Sequence, residues 1–378
     1  MSRVDKVLLA IAVVLGLSVL LTGGLAVYLT LASSDDEERR TSEATEPTAT
    51  SVAAREPRIA FVSDEQGDPA IYVVDADGSD RQRISGGDQT VCLFPSWSPD
   101  GERVAFLELS DRAGAGVWVA DVRGTMRVSV SHPISNAPTR DIDAITPAWS
   151  QDGTEVTFVS LGDSADAALQ VARSDGSGID RTVHLTDHVV VALRRSPNDD
   201  RLLFVGPHEG GEANVYTLSA HSEGPTLIMT GTTAADWSPD GERIAVAERA
   251  SKSVLVLDGD EEPRSVVQFS TIPIDVRWSP DGRFMAVVTD GSERQGYGDG
   301  LYVVDVESGQ TTPLVDGEAW TLWPEWSADG ERLLFTRGPL IRRAGLPYGN
   351  LWVYHVASGD MDQLTVGQGF DGLGTWSP

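Results

Sequence analysis

The sequence predicts an all-β fold, a seven-bladed β-propeller closed by its C-terminal strand and preceded by one transmembrane helix and a disordered tether. Three observations predict it. The unit WSPDG stands at 97–101, returns unchanged at 237–241 and 278–282, and returns with one change at 149–153 (WSQDG) and 326–330 (WSADG). The positions in phase with its first residue are 97, 149, 195, 237, 278, 326 and 376, spaced by 52, 46, 42, 41, 48 and 50 residues. That period is the length of a four-stranded propeller blade. An uncharged, nearly all apolar run of 26 residues covers 7–32, long enough to cross a bilayer as a helix.

The elements follow in chain order. Arg3 and Lys6 precede the apolar run, which favours a cytoplasmic N-terminus and a short head at 1–6. The run at 7–32 exceeds the roughly 7–15-residue apolar core of a cleaved signal peptide. It is therefore expected to stay as a single-pass anchor in the cytoplasmic membrane, with the repeats outside; a form secreted after signal cleavage is the alternative. Residues 33–57 are rich in Ser, Thr, Glu, Ala and Pro without apolar periodicity, the composition of a disordered linker. Such a tether reaches about 25–30 Å.

The repeats occupy 58–378. In WSPDG, Pro presets the second turn position, Asp bonds its own backbone at the third, and Gly takes the left-handed conformation after it. A type I turn closed in this way joins two antiparallel strands through a bulge. The strand after the turn recurs seven times, from Ile59 to Phe61 through Leu333 to Phe335, and a second strand of the type IYVVD follows each copy. The first unit lacks its tryptophan strand. The last residues, Thr375-Trp376-Ser377-Pro378, supply one, so the C-terminal strand is expected beside residues 58–62. Closure of this kind leaves no terminal blade edge unpaired.

Trp97, Trp149, Trp237, Trp278, Trp326 and Trp376 recur at one blade position and are expected to pack, each burying about 150–250 Å². The formal net charge is −28, and Lys6 and Lys252 are the two lysines. A chain so acidic repels nucleic acid and anionic membrane surfaces. Cys92 is the single cysteine and sits among apolar residues, where a buried structural thiol is expected.

The WSPDG unit, its apolar strand and the following IYVVD strand with a D-G turn resemble the TolB-type, WD-repeat-like propellers over residues 58–378. The resemblance implies protein contacts in bacterial envelopes, or the propeller half of some peptidases. The chain departs from TolB itself, with seven expected blades against six.

Catalytic motifs are missing: no G-x-S-x-G elbow, no H-E-x-x-H and no P-loop. The G-x-G-x-x-G match at 367–372 has no helix after it, so it reads as loop glycine. His184 and His188 flank a strand-like segment, and residues 75–80 lack a calcium loop's twelfth-position Glu, which is Gly86. No enzyme, no cofactor and no metal are therefore expected. Long connections gather at one end of the ring in this topology, and such loops carry binding. The candidate binding residues are Arg294, Tyr297, Trp320, Trp323, Arg342, Arg343 and Tyr348, of the types that anchor interfaces. The expected partner is an envelope or extracellular protein, with an anionic ligand at Arg342 and Arg343 as a further candidate. Its identity and the oligomeric state stay open. The alternative is a propeller enzyme, or a carbohydrate- or small-molecule-binding protein, using Asp141, Asp143 and Asp299 at the channel mouth.

Overall fold

The computed structural model describes residues 57–378 apart from 88, 111–113, 132–145, 162–166, 186–189, 191, 208–212, 220–223, 291–297, 317–318, 340–347 and 368. The segments expected as head, anchor and tether, 1–6, 7–32 and most of 33–57, lie outside the described residues. No helix among the described residues is long and apolar enough to cross a membrane.

The described chain forms seven four-stranded antiparallel sheets. Blade 1 begins with β1 (Arg58–Ser63), β2 (Ala70–Asp75) and β3 (Gln82–Arg83). Blade 2 is β4 (Thr90–Trp97), β5 (Arg103–Ser110), β6 (Gly114–Asp121) and β7 (Arg127–Ser129). Blade 3 is β8 (Ala148–Trp149), β9 (Glu155–Leu161), β10 (Ala167–Arg173) and β11 (Ile179–Leu185). Blade 4 is β12 (Ala192–Arg195), β13 (Leu202–Pro207), β14 (Ala213–Leu218) and β15 (Thr226–Met229). Blade 5 is β16 (Thr232–Trp237), β17 (Arg243–Glu248), β18 (Ser253–Asp258) and β19 (Arg264–Gln268). Blade 6 is β20 (Pro273–Trp278), β21 (Phe284–Asp290), β22 (Gly298–Asp305) and β23 (Thr311–Asp316). Blade 7 is β24 (Ala319–Trp326), β25 (Arg332–Pro339), β26 (Asn350–His355) and β27 (Met361–Gln363), and β28 (Asp371–Trp376) returns to blade 1.

The ring closes where the repeat leaves a strand missing. β28 pairs antiparallel with β1, with Ile59 opposite Trp376. Beyond the strands, the Ser377 N–H donates to the Arg58 carbonyl at 2.7 Å, and the Arg58 N–H donates to Ser377 Oγ at 2.9 Å.

Each WSPDG turn is locked by its own side chains. In blade 2, Ser98 Oγ accepts from the Arg103 N–H at 2.9 Å, and Asp100 Oδ1 accepts from the Glu102 N–H at 3.0 Å. Gly101 sits at φ 66°, a conformation glycine adopts without a Cβ clash. The same bonds recur around Ser238 and Asp240 and around Ser327 and Asp329.

Two belts tie neighbouring blades. The repeat tryptophans are each 5–7% exposed, and four of the six donate their indole N–H to the preceding blade, while Nε1 of Trp237 and of Trp278 is buried without a hydrogen-bond partner among the described residues. Trp97 donates to the Thr375 carbonyl, Trp149 to Ser96, Trp326 to Arg277 and Trp376 to Glu325, at 3.0, 2.9, 3.1 and 3.2 Å. The arginine six residues after the tryptophan phase forms the second belt by lying over the next blade's indole. Arg58 covers Trp97, Arg103 covers Trp149, Arg201 covers Trp237, Arg243 covers Trp278 and Arg332 covers Trp376, at 4.7–5.3 Å. Each such contact contributes about 0.5–2 kcal/mol. The junction of blades 3 and 4 has neither belt, because Glu155 stands in the arginine's place and Arg195 in the tryptophan's.

The post-turn strands bury Phe61, Phe106, Phe158, Phe204 and Phe335 between blades at 0–1% exposure. Cys92 is buried with them, and burial pushes its thiol up to about 12. Several connections are shorter than the sequence suggests. The turn between β5 and β6 is one of these: Glu108 pairs with Gly116 and Leu109 with Ala115, because β5 and β6 pair beyond the repeat's apolar core.

Candidate binding site: the axial channel

The innermost strand of each blade has a neighbour on one side only, and its burial alternates accordingly. The residue before the tryptophan phase is partly open on every blade: Ser96, Ala148, Arg194, Asp236, Arg277, Glu325 and Thr375. The tryptophans between them turn back into the core. These seven positions therefore form one layer lining the axis.

The layer is uneven. Blades 4 to 7 carry alternating charge, Arg194, Asp236, Arg277 and Glu325, while blades 1 to 3 carry Thr375, Ser96 and Ala148. Asp275, two residues before Arg277 on β20, joins the charged half. Arg277 Nη1 donates to Asp275 Oδ1 at 2.7 Å, and its Nε lies 3.9 Å from Glu325 Oε2. Arg194 Nε lies 4.0 Å from Asp236 Oδ1. Asp236 Oδ2 accepts the Trp278 backbone N–H at 2.8 Å.

The charges act on one another across blades. Burial pushes the Asp236 and Glu325 carboxyls above their usual range, against the pull of Arg277 and Arg194. The Asp236 side chain is 15% exposed; that of Glu325 keeps 40% of its surface open, so water screens part of the effect there. Burial and the like charge of Arg277 pull Arg194 down. Burial also opposes the charge on Arg277, but Asp275, Asp236 and Glu325 outweigh it.

Toward the long-connection end lies an apolar crescent. Trp323, Leu373 and Phe94 each stand three residues before a repeat tryptophan, on blades 7, 1 and 2. All three adopt left-handed backbone, at φ 56°, 52° and 56°. In each case two residues of the inner strand oppose one of its neighbour, a bulge that re-aims a side chain. Trp323 stands edge-on to Trp320 at 6.2 Å and to Phe370 at 6.0 Å.

The residues expected from sequence fall into two groups. Arg294, Tyr297, Arg342 and Arg343 lie outside the described residues, as do Asp141 and Asp143; Asp299 lies on β22. Trp320 and Trp323 were expected on a loop and are strand residues of β24. Trp320 is 2% exposed and packs where Gly338 and Gly349 leave no Cβ in its way, so it is corrected from a docking anchor to a core residue. The Tyr348 hydroxyl donates to the Gly367 carbonyl and ties down the segment before β28. Sequence reasoning missed the channel charges and the arginine belt. Their signals were present, as the residue one before each tryptophan-phase position and as the arginine six after it at 103, 201, 243 and 332, with Glu155 and Phe284 as the exceptions.

No family model matches the chain. Among curated relatives, it is 31% identical over 121 residues to an uncharacterized peptidase, YuxL, of Bacillus subtilis, covering 29% of this chain and 17% of the relative. It is 27% identical over 121 residues to a TolB homologue of Chlorobaculum tepidum, covering 32% and 25%. It is 27% identical over 296 residues to tricorn protease homologue 1 of Streptomyces coelicolor, covering 74% and 26%. The chain thus spans about a quarter or less of these relatives' lengths.

Among solved structures, the propeller domain of the trilobed protease of Pyrococcus furiosus matches with TM-score 0.58 at 15% identity, covering 82% of this chain and 97% of that one. TolB of Acinetobacter baumannii matches with TM-score 0.53 at 15% identity, covering 85% and 66%. Oligogalacturonate lyase in complex with manganese matches with TM-score 0.56 at 15% identity, covering 74% and 82%. The fold is thus a TolB-like β-propeller.

These comparisons correct the expectation that the chain is not an enzyme. Its similar proteins include peptidases and a lyase. The larger part of each of the three curated relatives has no counterpart in these 378 residues.

Proposed function

We propose that the chain is a membrane-tethered propeller displayed outside the cytoplasmic membrane, where its long-connection end is a protein- or ligand-binding module of the cell envelope. The observation that carries this reading is the separation of the two ends of the ring. Arg58 and Ser377 are bonded to each other beside the short turns, so the segment before residue 58 enters there. The long connections and the Trp323, Leu373 and Phe94 crescent belong to the opposite end. In this reading 7–32 is the anchor and 33–57 the tether, and Arg294, Tyr297, Arg342 and Arg343 contact the partner.

The test is crosslinking of the full chain in its native membrane, with a variant carrying Arg342→Glu and Arg343→Glu beside it. Loss of a specific adduct in the variant supports the reading, and identical adducts in both retire the proposed contact surface. External protease on whole cells is expected to release a fragment starting near residues 40–57; protection of that region contradicts the orientation.

A second reading is catalytic, and the peptidase and lyase relatives favour it. The channel carboxyls Asp236 and Glu325 are its acid–base candidates, since burial raises both. Turnover of an unstructured polypeptide or of an oligogalacturonate that is lost in Glu325→Gln supports it. Absence of turnover with both substrates retires it for those two classes.

A further inference from the structure

We propose that the axial channel holds a site for one organic cation, an ammonium group on an apolar body, built on Trp323 and Glu325 of blade 7. The inference deepens the binding reading above, on which it rests for the channel's role, and it names the chemistry the channel accepts.

Trp323 and Glu325 are two residues apart on β24. Residues 323 and 325 are partly open while 324 and 326 are buried, and the bulge at Trp323 re-aims its indole, so an indole and a carboxylate are both open on the innermost strand of blade 7. The Trp323 ring is already held edge-on by Trp320 and Phe370, both at most 2% exposed. Leu373 and Phe94 continue the apolar wall on blades 1 and 2, where a ligand's body would lie.

The charge network decides the sign of the ligand. Its guanidinia lie deeper than its open carboxylate: Arg277 Nη1 donates to Asp275 at 2.7 Å and to the Val276 carbonyl at 3.0 Å while its Nε is buried without a hydrogen-bond partner among the described residues, Arg194 donates to the Leu193 carbonyl at 3.0 Å, and the two side chains are 15% and 25% exposed. The open group is an acceptor. Glu325 has its nearest guanidinium nitrogen 3.9 Å away and 40% of its side chain exposed. Three carboxylates face two guanidinia, so an anion entering the channel meets surplus negative charge. An ammonium supplies the missing charge and N–H donors to Glu325, and its cation–π contact with an indole adds attraction. A metal ion fits less well, because no group of three or more His, Cys, Asp or Glu among the described residues is placed to hold one. The formal charge of −28 raises the local concentration of any cation. The ammonium can arrive on a free amine or on a partner's lysine, and both present the same group.

The test is titration calorimetry on the full chain near neutral pH and low salt, with tryptophan fluorescence as a second readout. Benzylammonium is the probe, benzoate and benzyl alcohol are its anionic and neutral controls, and Nα-acetyl-lysine amide represents the side-chain source. Benzylammonium or the lysine amide is expected to bind and both controls to fail. Affinity is expected to drop about 10-fold or more in Glu325→Gln and in Trp323→Leu, and to stay unchanged in the exposed control Glu262→Gln. Should Trp323→Leu fail to fold, Glu325→Gln decides, since that side chain makes no hydrogen bond within the network. Benzoate binding as tightly as benzylammonium, silence of both amines, or full affinity in Glu325→Gln overturns the site. Failed crosslinking with intact amine binding leaves the site standing without its partner, and the reverse removes this site alone.

Discussion

The Trp376 indole N–H donates to the Glu325 carbonyl at 3.2 Å. The residue that closes the ring is thereby bonded to the backbone of the residue whose side chain lies open in the channel. Closure and site share one strand-to-strand junction, between blades 7 and 1.

Trp376→Ala removes that bond, the ring over which Arg332 lies and a side chain 6% exposed. A loss of about 3–5 kcal/mol is expected, the usual cost of truncating a buried tryptophan. Chemical denaturation measures it. A loss below about 1 kcal/mol shows that β28 contributes little to closure.

Blades 3 and 4 meet without the indole bond and without the stacked arginine. Glu155→Arg combined with Arg195→Trp writes the repeat's own pair into that junction. The double variant is expected to exceed the sum of the single variants by about 0.5–2 kcal/mol. Thermal melts of all four proteins give the coupling, and zero coupling shows that the belt is not what stabilises the junctions.

Arg277→Met strips the channel of the cation that Asp275, Asp236 and Glu325 share. A loss of about 3–5 kcal/mol is expected from leaving charges uncompensated. The pH dependence has a definite sign. The carboxyls of Asp236 and Glu325, already raised by burial, rise further, so the folded state binds more protons than the unfolded one. The deficit is then smallest below the ordinary carboxyl range and grows as pH rises through the raised values. Denaturation midpoints of variant and wild type from pH 4 to 8 check this, and a pH-independent deficit contradicts it.

The turn aspartates act in the opposite sense. Hydrogen bonds from Ser150 and from the backbone and side chain of Thr154 hold Asp152 down at about 2, and Ser238 likewise lowers Asp240. Their stabilisation is present above the ordinary carboxyl range and is lost as pH falls through the lowered values. Asp152→Asn is expected to flatten the fall in stability between about pH 4 and 2. An unchanged acid limb shows that this carboxylate does not set it.

The sequence exposed the fold well because the repeat states its own geometry. A turn with Pro, Asp and Gly at set positions has few conformations, and seven copies at one period leave one common arrangement. The truncated copy at 376–378 announced the pairing with β1 for the same reason. The site was less legible. Trp320 reads as a docking aromatic because it falls outside the repeat phase, yet Gly338 and Gly349 make a slot that buries it. Glu325 looked like an ordinary charge before a repeat tryptophan.

By itself the sequence determined the all-β class, the seven blades, the locked turns and the residue that closes the ring, since each rests on local conformational preference repeated along the chain. Only the tertiary structure decided which charges share the channel. Arg194, Asp236, Arg277 and Glu325 are roughly a repeat apart in sequence and meet because bending seven sheets around one axis brings their inner strands together. That curvature belongs to the packing between blades, not to any single blade.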